Sequence, residues 1–369
     1  MIPFYWKKVI YSLLVASLLL FLPGCTFRDI DKRFFVVAVG FDESGNPQKP
    51  YKVTLKLAIP ASHIEPGLPH KFQLVSEEAA TISEAIGLIG SRVDKHLDFS
   101  QTKAFILGLK LMSRNIQNSL DWLVRRHDIQ GIAYLSVGDP TAESVLKTSP
   151  PSERLPSNSL ILIFGREGNN SSYIMPITVS EYYRRSTEKG LTPYMPIVRP
   201  SQGTYLVDQV ALLATSKIEL ILTPEETRFL NQLTRQRMVR EYSFHHGDES
   251  YSLEIKRMRY NYKLLRTPQG KLRHVAKIKA SVMLQHTNSY RTQEWGRLEK
   301  LTQDHMAADY LKLMEKIRDS GTDPLGFGLR YRATHHDADR DWTQWRALYP
   351  AMDFSVQVDC TMRGTGIIK

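Results

Sequence analysis

The sequence is nearly without cysteine: two occur in 369 residues, Cys25 and Cys360. If Cys25 carries lipid, Cys360 has no partner and no disulfide forms. An exported chain so poor in cysteine draws its stability from core burial rather than covalent cross-links. Also missing is any long apolar run beyond the first two dozen residues, so nothing later in the chain is expected to cross a bilayer as a helix. Internal repeats and low-complexity tracts are absent. So are a G-x-S-x-G elbow, a P-loop and a G-x-G-x-x-G following a strand, which removes the usual footholds of hydrolases, NTPases and dinucleotide enzymes.

What is present begins at the amino end. Val9–Leu22 is an apolar run relieved only by Ser12 and Ser17 and preceded by Lys7 and Lys8. A spanning helix needs ~20 apolar residues, whereas a run of ~10–14 after positive charge fits the h-region of an export signal. Pro23 and Gly24 then break the helix. Residues 1–24 are therefore expected to be a signal peptide; the alternative is an uncleaved anchor with Phe4, Tyr5 and Trp6 at the interface. Leu22-Pro23-Gly24-Cys25 resembles a lipobox, in which the cysteine sulfur takes a diacylglycerol thioether and cleavage falls just before it. Gly24 fits that chemistry, and Pro23 departs from the pattern. Two acyl chains hold a protein at a membrane where one does not.

Hydrophobic residues make up 42% and charged residues 24% of the chain, as in ordinary globular proteins. The formal net charge is +11. Such a balance suits nucleic acid, an anionic membrane surface or an anionic wall polymer. Export argues against nucleic acid. The basic residues Lys256, Arg257, Arg259, Lys263, Arg266, Lys277 and Lys279 form no recognisable motif and read as a generally solvated surface, with a lean towards anionic headgroups as the lesser reading.

Periodicity predicts strands at Phe34–Asp42 and 51–60, joined by Gly45-Asn46-Pro47. A helix is expected from Ser76, with Ile82, Ile86, Ile89, Val93 and Leu97 on one face. A strand at Lys103–Leu109 follows, then a helix turning Ile116, Leu120, Leu123 and Val124 inward. Next come a strand at 132–137, a short helix after Pro140 and a helix ended by Gly190. Gly190–Gly203 holds three prolines and is taken as the main boundary. Beyond it, two short strands, a helix opened by the capping box Thr223-Pro224-Glu225-Glu226, and strands near 237–246, 250–264 and 272–286 are expected. A helix over about Arg297–Arg318 is expected to turn Leu298, Leu301, Ala308, Leu311 and Met314 inward. A helix at 341–349 and a strand carrying Cys360 on its apolar face complete the reading. The fold class is α+β (mixed α/β) and multi-domain. A 25–190 α/β domain, open to division into two subdomains, meets a 191–203 linker and a 204–369 α+β domain whose mostly antiparallel sheet is packed by the long helix.

Chemistry-bearing residues each have an ordinary explanation. His335, His336, Asp337, Asp339 and Asp341 are metal-ligand types, yet they match neither HExxH nor an EF-hand loop and read as a solvated loop and helix start. His245 and His246 read as a hairpin turn. Three S-x-x-K tetrads (Ser100–Lys103, Ser144–Lys147, Ser186–Lys189) lack the S-D-N and K-T-G partners of penicillin-binding enzymes. Glu77-Glu78 and Glu225-Glu226 fall at predicted helix starts, where the dipole explains them. No catalytic residue, metal or cofactor is expected.

Several stretches, in order, resemble the Ger(x)C family, the lipoprotein C subunits of spore germinant receptors: the lipobox with "FRDIDKRFFVVAVGFD", ending Gly40-Phe41-Asp42; "LDFSQTKAFILG"; "VRRHDIQGIAYLSVGDPTAESVL"; "LTPEETRFLNQL"; and "DPLGFGLRYR" with "DWTQWRALYPAMDFSVQVDCTMRGTG". The family's Trp-Asp after the cysteine is replaced by Thr26-Phe27. The resemblance implies a multi-domain α/β protein without catalytic residues. Lipid at Cys25 would hold it on the outer face of the spore inner membrane, in complex with membrane-spanning A and B subunits that sense a small-molecule germinant. Two other readings stand beside it: an exported solute-binding lipoprotein of a transport system, and a wall-modifying hydrolase.

Overall fold

A computed structural model describes residues 32–59, 72–114, 116–152, 158–165, 171–214, 216–234, 240–288, 294–334 and 338–363, together with Tyr5, Trp6 and Ser17. The chain divides into two units, Met1–Arg33 and Phe34–Lys369. Leu22, Pro23, Gly24 and Cys25 lie outside the described residues, as do His335, His336 and Asp337. No helix among the described residues is long and apolar enough to cross a membrane.

The fold is mixed α/β with two sheets. In the first, β1 (Arg33–Asn46), β2 (Lys49–Ala58) and β3 (Phe72–Ala79) form an antiparallel meander. Short β4 (His96–Asp98) pairs with β1. On its other side β1 runs parallel to β5 (Ala104–Gly108), and β5 parallel to β6 (Tyr134–Gly138), the arrangement expected when helices intervene. Then β7 (Ile177–Thr178) pairs with β6, and β8 (Tyr194–Ser201), β9 (Thr204–Ala214) and β10 (Lys217–Ile221) extend the sheet. The order is β10-β9-β8-β6-β5-β1-β2-β3. The second sheet holds β11 (Arg240–His246), β12 (Glu249–Arg266) and β13 (Leu272–Thr287), all antiparallel, with β14 (Asp353–Met362) parallel to β13.

Four expectations are corrected. The helix placed from Ser76 starts at Ile82 and ends at Gly90, and Glu77-Glu78 lie in β3 rather than at a helix start. Thr81 is its N-cap, accepting from Glu84 N at 3.1 Å while Glu84 takes the Ala80 amide; this capping box, Thr81 to Glu84, was the legible signal. The 191–203 stretch is not a loose connection, since β8 fills most of it. The two β6 pairs, at Ile197 and Val198, fall between Pro196 and Pro200, so the prolines do not interrupt that ladder. In the Gln117–Arg125 helix Trp122 turns inward and Val124 is exposed. In the Trp295–Asp319 helix the buried stripe is Leu298, Thr302, Met306, Tyr310, Leu313, Met314 and Ile317; Ala308 is exposed.

Candidate functional site

Asp42 ends the Gly40-Phe41-Asp42 stretch of β1 and is almost wholly buried. Its carboxylate accepts the Ala142 and Glu143 amides at 2.7 and 2.9 Å, closing the first turn of the Ala142–Lys147 helix. The helix can come so close because neighbouring strands carry glycine there. A Cβ on Gly108 of β5 would lie 2.0 Å from Asp42 Oδ1, and one on Gly138 of β6 would lie 2.9 Å from the Ala142 Cα. Burial pushes the Asp42 pKa up, opposed by the two backbone hydrogen bonds. Beside it Glu143 is held below the usual carboxylate range by Lys147 and then Lys52, whose ammonium lies 2.7 Å away. All of this carboxylate capacity is spent on the fold. The arrangement ties the third of the resembling stretches, through its "GDPTAESVL", to the first.

A second junction joins the segment after the Val179–Thr187 helix to the segment after Trp295–Asp319. Asp323, 4% exposed, accepts the amides of Gly326, Phe327 and Gly328 at 2.9, 3.0 and 2.7 Å. Its own amide donates to Thr192 Oγ1, and its carbonyl accepts the Thr192 amide. Leu329 N donates to Gly190 O at 2.8 Å. Arg185 bridges the two segments, donating to the carbonyls of Thr192 and Pro324. Gly190 sits at φ 90, and a Cβ there would be 2.4 Å from the Gly328 carbonyl carbon. Backbone therefore meets backbone. Burial pushes the Asp323 carboxyl up to about 6 against the three amides and Arg185. Nearby His274, fully buried against Phe327 and Phe354, meets the Tyr260 hydroxyl at 3.0 Å and is pushed down to about 4 by burial.

The other chemistry-bearing residues do not converge. Ser144 donates to the Thr141 carbonyl and Lys147 pairs with Glu143; Ser186 donates to Tyr183 O; Lys103 reaches Gln130. Asp341 is buried in the Ala338–Leu348 helix rather than solvated. Cys360 faces the core from β14, with its thiol pushed up to about 12 by burial. His246, at the end of β11, meets His305 of the long helix at 3.4 Å, a pairing across 59 positions that sequence spacing could not reveal. Among the described residues no group of three or more His, Cys, Asp or Glu could hold a metal ion. A cavity of about 100 Å³ lies between the Gln117–Arg125 and Val179–Thr187 helices, lined by Leu120, Leu123, Val179 and Tyr182 with Asp121 and Ser186 among its polar groups.

A family model described as the spore germination protein N-terminal domain matches residues 27–200, and one described as spore germination B3/GerAC-like, C-terminal, matches residues 208–366. The spore germination protein GerQC of Bacillus cereus is 20% identical, over 97% of this chain and 99% of its own. The crystal structure of the GerBC protein superposes with a TM-score of 0.56 at 18% identity, covering 88% of this chain and 96% of that one, a likeness of fold.

Proposed function

The chain belongs to the Ger(x)C spore germination family, and from that premise we propose that it is the non-catalytic, lipid-tethered C subunit of a germinant receptor. In this reading Cys25 carries the diacylglycerol, and the body lies on the outer face of the spore inner membrane. There it assembles with membrane-spanning A and B subunits and takes part in nutrient-triggered germination. The observation that carries the reading is the match of both family models in order, at 27–200 and 208–366. The S-x-x-K tetrads support a non-catalytic role, since their lysines or serines are engaged elsewhere.

The test is purification from spore membranes of the wild type and of Cys25→Ala. The wild type is expected to bring down two membrane proteins, and the variant to leave the membrane fraction and slow germination while its body stays folded. Undiminished membrane retention of Cys25→Ala would remove the lipid anchor from the account. A wild-type preparation without membrane partners, binding a solute by itself, would turn the function towards transport.

A further inference from the structure

Register brings together cations that are dispersed in the sequence. Across β12 and β13 the inward pairs are Met258–Ala280, Tyr260–Ile278 and Tyr262–Ala276; the outward pairs are Arg257–Ser281, Arg259–Lys279, Asn261–Lys277, Lys263–Val275 and Leu265–Arg273. The period of two that buries the aromatic residues thus places Arg257, Arg259, Lys263, Arg273, Lys277 and Lys279 on the other face. All six are exposed. From Arg257 to Leu265 this face runs about 27 Å, at ~3.4 Å per residue. The inner face is taken: Phe327 and Phe354 pack on His274, and Gln303 of the long helix reaches the Cys360 carbonyl.

The charge on this face is only partly offset within the chain: β14 adds exposed Asp353 beside Arg273 and Asp359 beside Lys279, against six exposed cations. Lys279 has Asp359 at 3.9 Å, and Lys256, at the β12 register shift, has Glu254 at 2.5 Å. Among the described residues no ion pair is made by Arg257, Arg259, Lys263, Arg273 or Lys277. Arg259 lies directly across from Lys279, a placement that destabilises a sheet by itself. An external anion relieves that repulsion. Its kind follows from what else the face carries. The outward positions of β12 and β13 from Arg257 to Ser281 hold no aromatic ring to stack a base or fill a partner's pocket. They end instead on Leu265, 47% exposed beside the turn that joins the two strands. Cations flanked by a lone exposed aliphatic side chain suit a headgroup layer.

We propose that the outward face of the β12–β13–β14 sheet docks on an anionic phospholipid bilayer. This rests on the reading that the body works beside a membrane, and it adds a second contact that fixes which side of the body faces the lipid.

The experiment is lysine footprinting of the full chain on vesicles, with a water-soluble acylating reagent read by mass spectrometry. On vesicles of phosphatidylcholine with phosphatidylglycerol, Lys263, Lys277 and Lys279 are expected to be protected at least tenfold relative to phosphatidylcholine alone. Exposed Lys110 and Lys300 should be unaffected. Protection should vanish in 0.5 M salt, where screening acts within a few ångströms. An Arg257→Gln, Arg259→Gln variant, altered only at exposed positions, should lose about fivefold in anionic preference per charge removed. Equal labelling on both vesicle types, equal protection of Lys110 and Lys300, or stronger protection by single-stranded nucleic acid than by vesicles at the same salt would overturn the proposal. Flotation with neutral vesicles reports the tether separately: a failed face leaves flotation intact, and a failed tether leaves the anionic footprint intact.

Discussion

At the scale of single residues, two buried groups titrate in opposite senses. Asp323, raised by burial to about 6 from 3.8, binds a proton in the folded protein before it does so unfolded, so its contribution to stability grows as pH falls through about 6 towards 4. His274, lowered to about 4 from 6.5, stays neutral in the fold while the unfolded chain protonates, so its contribution is lost over nearly the same window. Each is of order ~3 kcal/mol at 1.36 kcal/mol per unit, and between pH 6.5 and 4.5 they offset. Urea titrations across that window should show Asp323→Asn falling in stability with acid relative to wild type, and His274→Phe rising. Parallel curves for all three proteins would show that neither group carries the shift described. Gly328 makes a steric prediction. A Cβ there would lie 2.5 Å from Trp345 Nε1 and 2.7 Å from the Gly190 Cα. Gly328→Ala should therefore cost about 2–3 kcal/mol as overpacking, read as a lower urea midpoint at unchanged slope.

At the scale of elements, the long Trp295–Asp319 helix separates pattern from packing. Met306→Ala should cost about 2–4 kcal/mol by opening a cavity under the fully buried stripe, whereas Ala308→Lys should change stability by less than ~0.5 kcal/mol. The reverse ranking in thermal or urea melts would restore the stripe read from aliphatic residues alone. That stripe went astray because Thr302 and Tyr310 occupy buried positions, and Tyr310 can do so by donating to Gln232 Oε1 at 2.6 Å. Strands with clean alternation, such as β13, were legible in full. So was the helix behind Thr223, whose box is made as read, with Glu226 N on Thr223 Oγ1 and Thr223 N on Glu226 Oε2. The short Asn158–Phe164 and Phe327–Ala333 helices were not, because they are held by distant contacts rather than local periodicity. The basic face was missed for the same reason: its residues other than Arg273 were noted, but only cross-strand register makes neighbours of Arg259 and Lys279.

For the whole molecule, the first sheet does not stop where composition suggested. β9 and β10 close the side of the sheet opposite β3, and β9 pairs with β8 along most of its length. A chain cut after residue 203 leaves β8 without that neighbour, and is expected to lose cooperative unfolding in urea; a sharp native-like transition from that fragment would restore a self-sufficient domain ending there. The Gly190–Leu329 and Thr192–Asp323 hydrogen bonds link early and late segments of the chain, so the body should melt as one. The parallel pairing of β14 with β13 has a further result for biogenesis. A hairpin partner could zip up as soon as it left a secretion channel, but this strand arrives only after the helices between residues 295 and 348 have passed. Until residues 353–362 emerge, β13 has a bare rim, and a nascent chain stalled before that point would be vulnerable to proteases and to pairing with a second copy of itself.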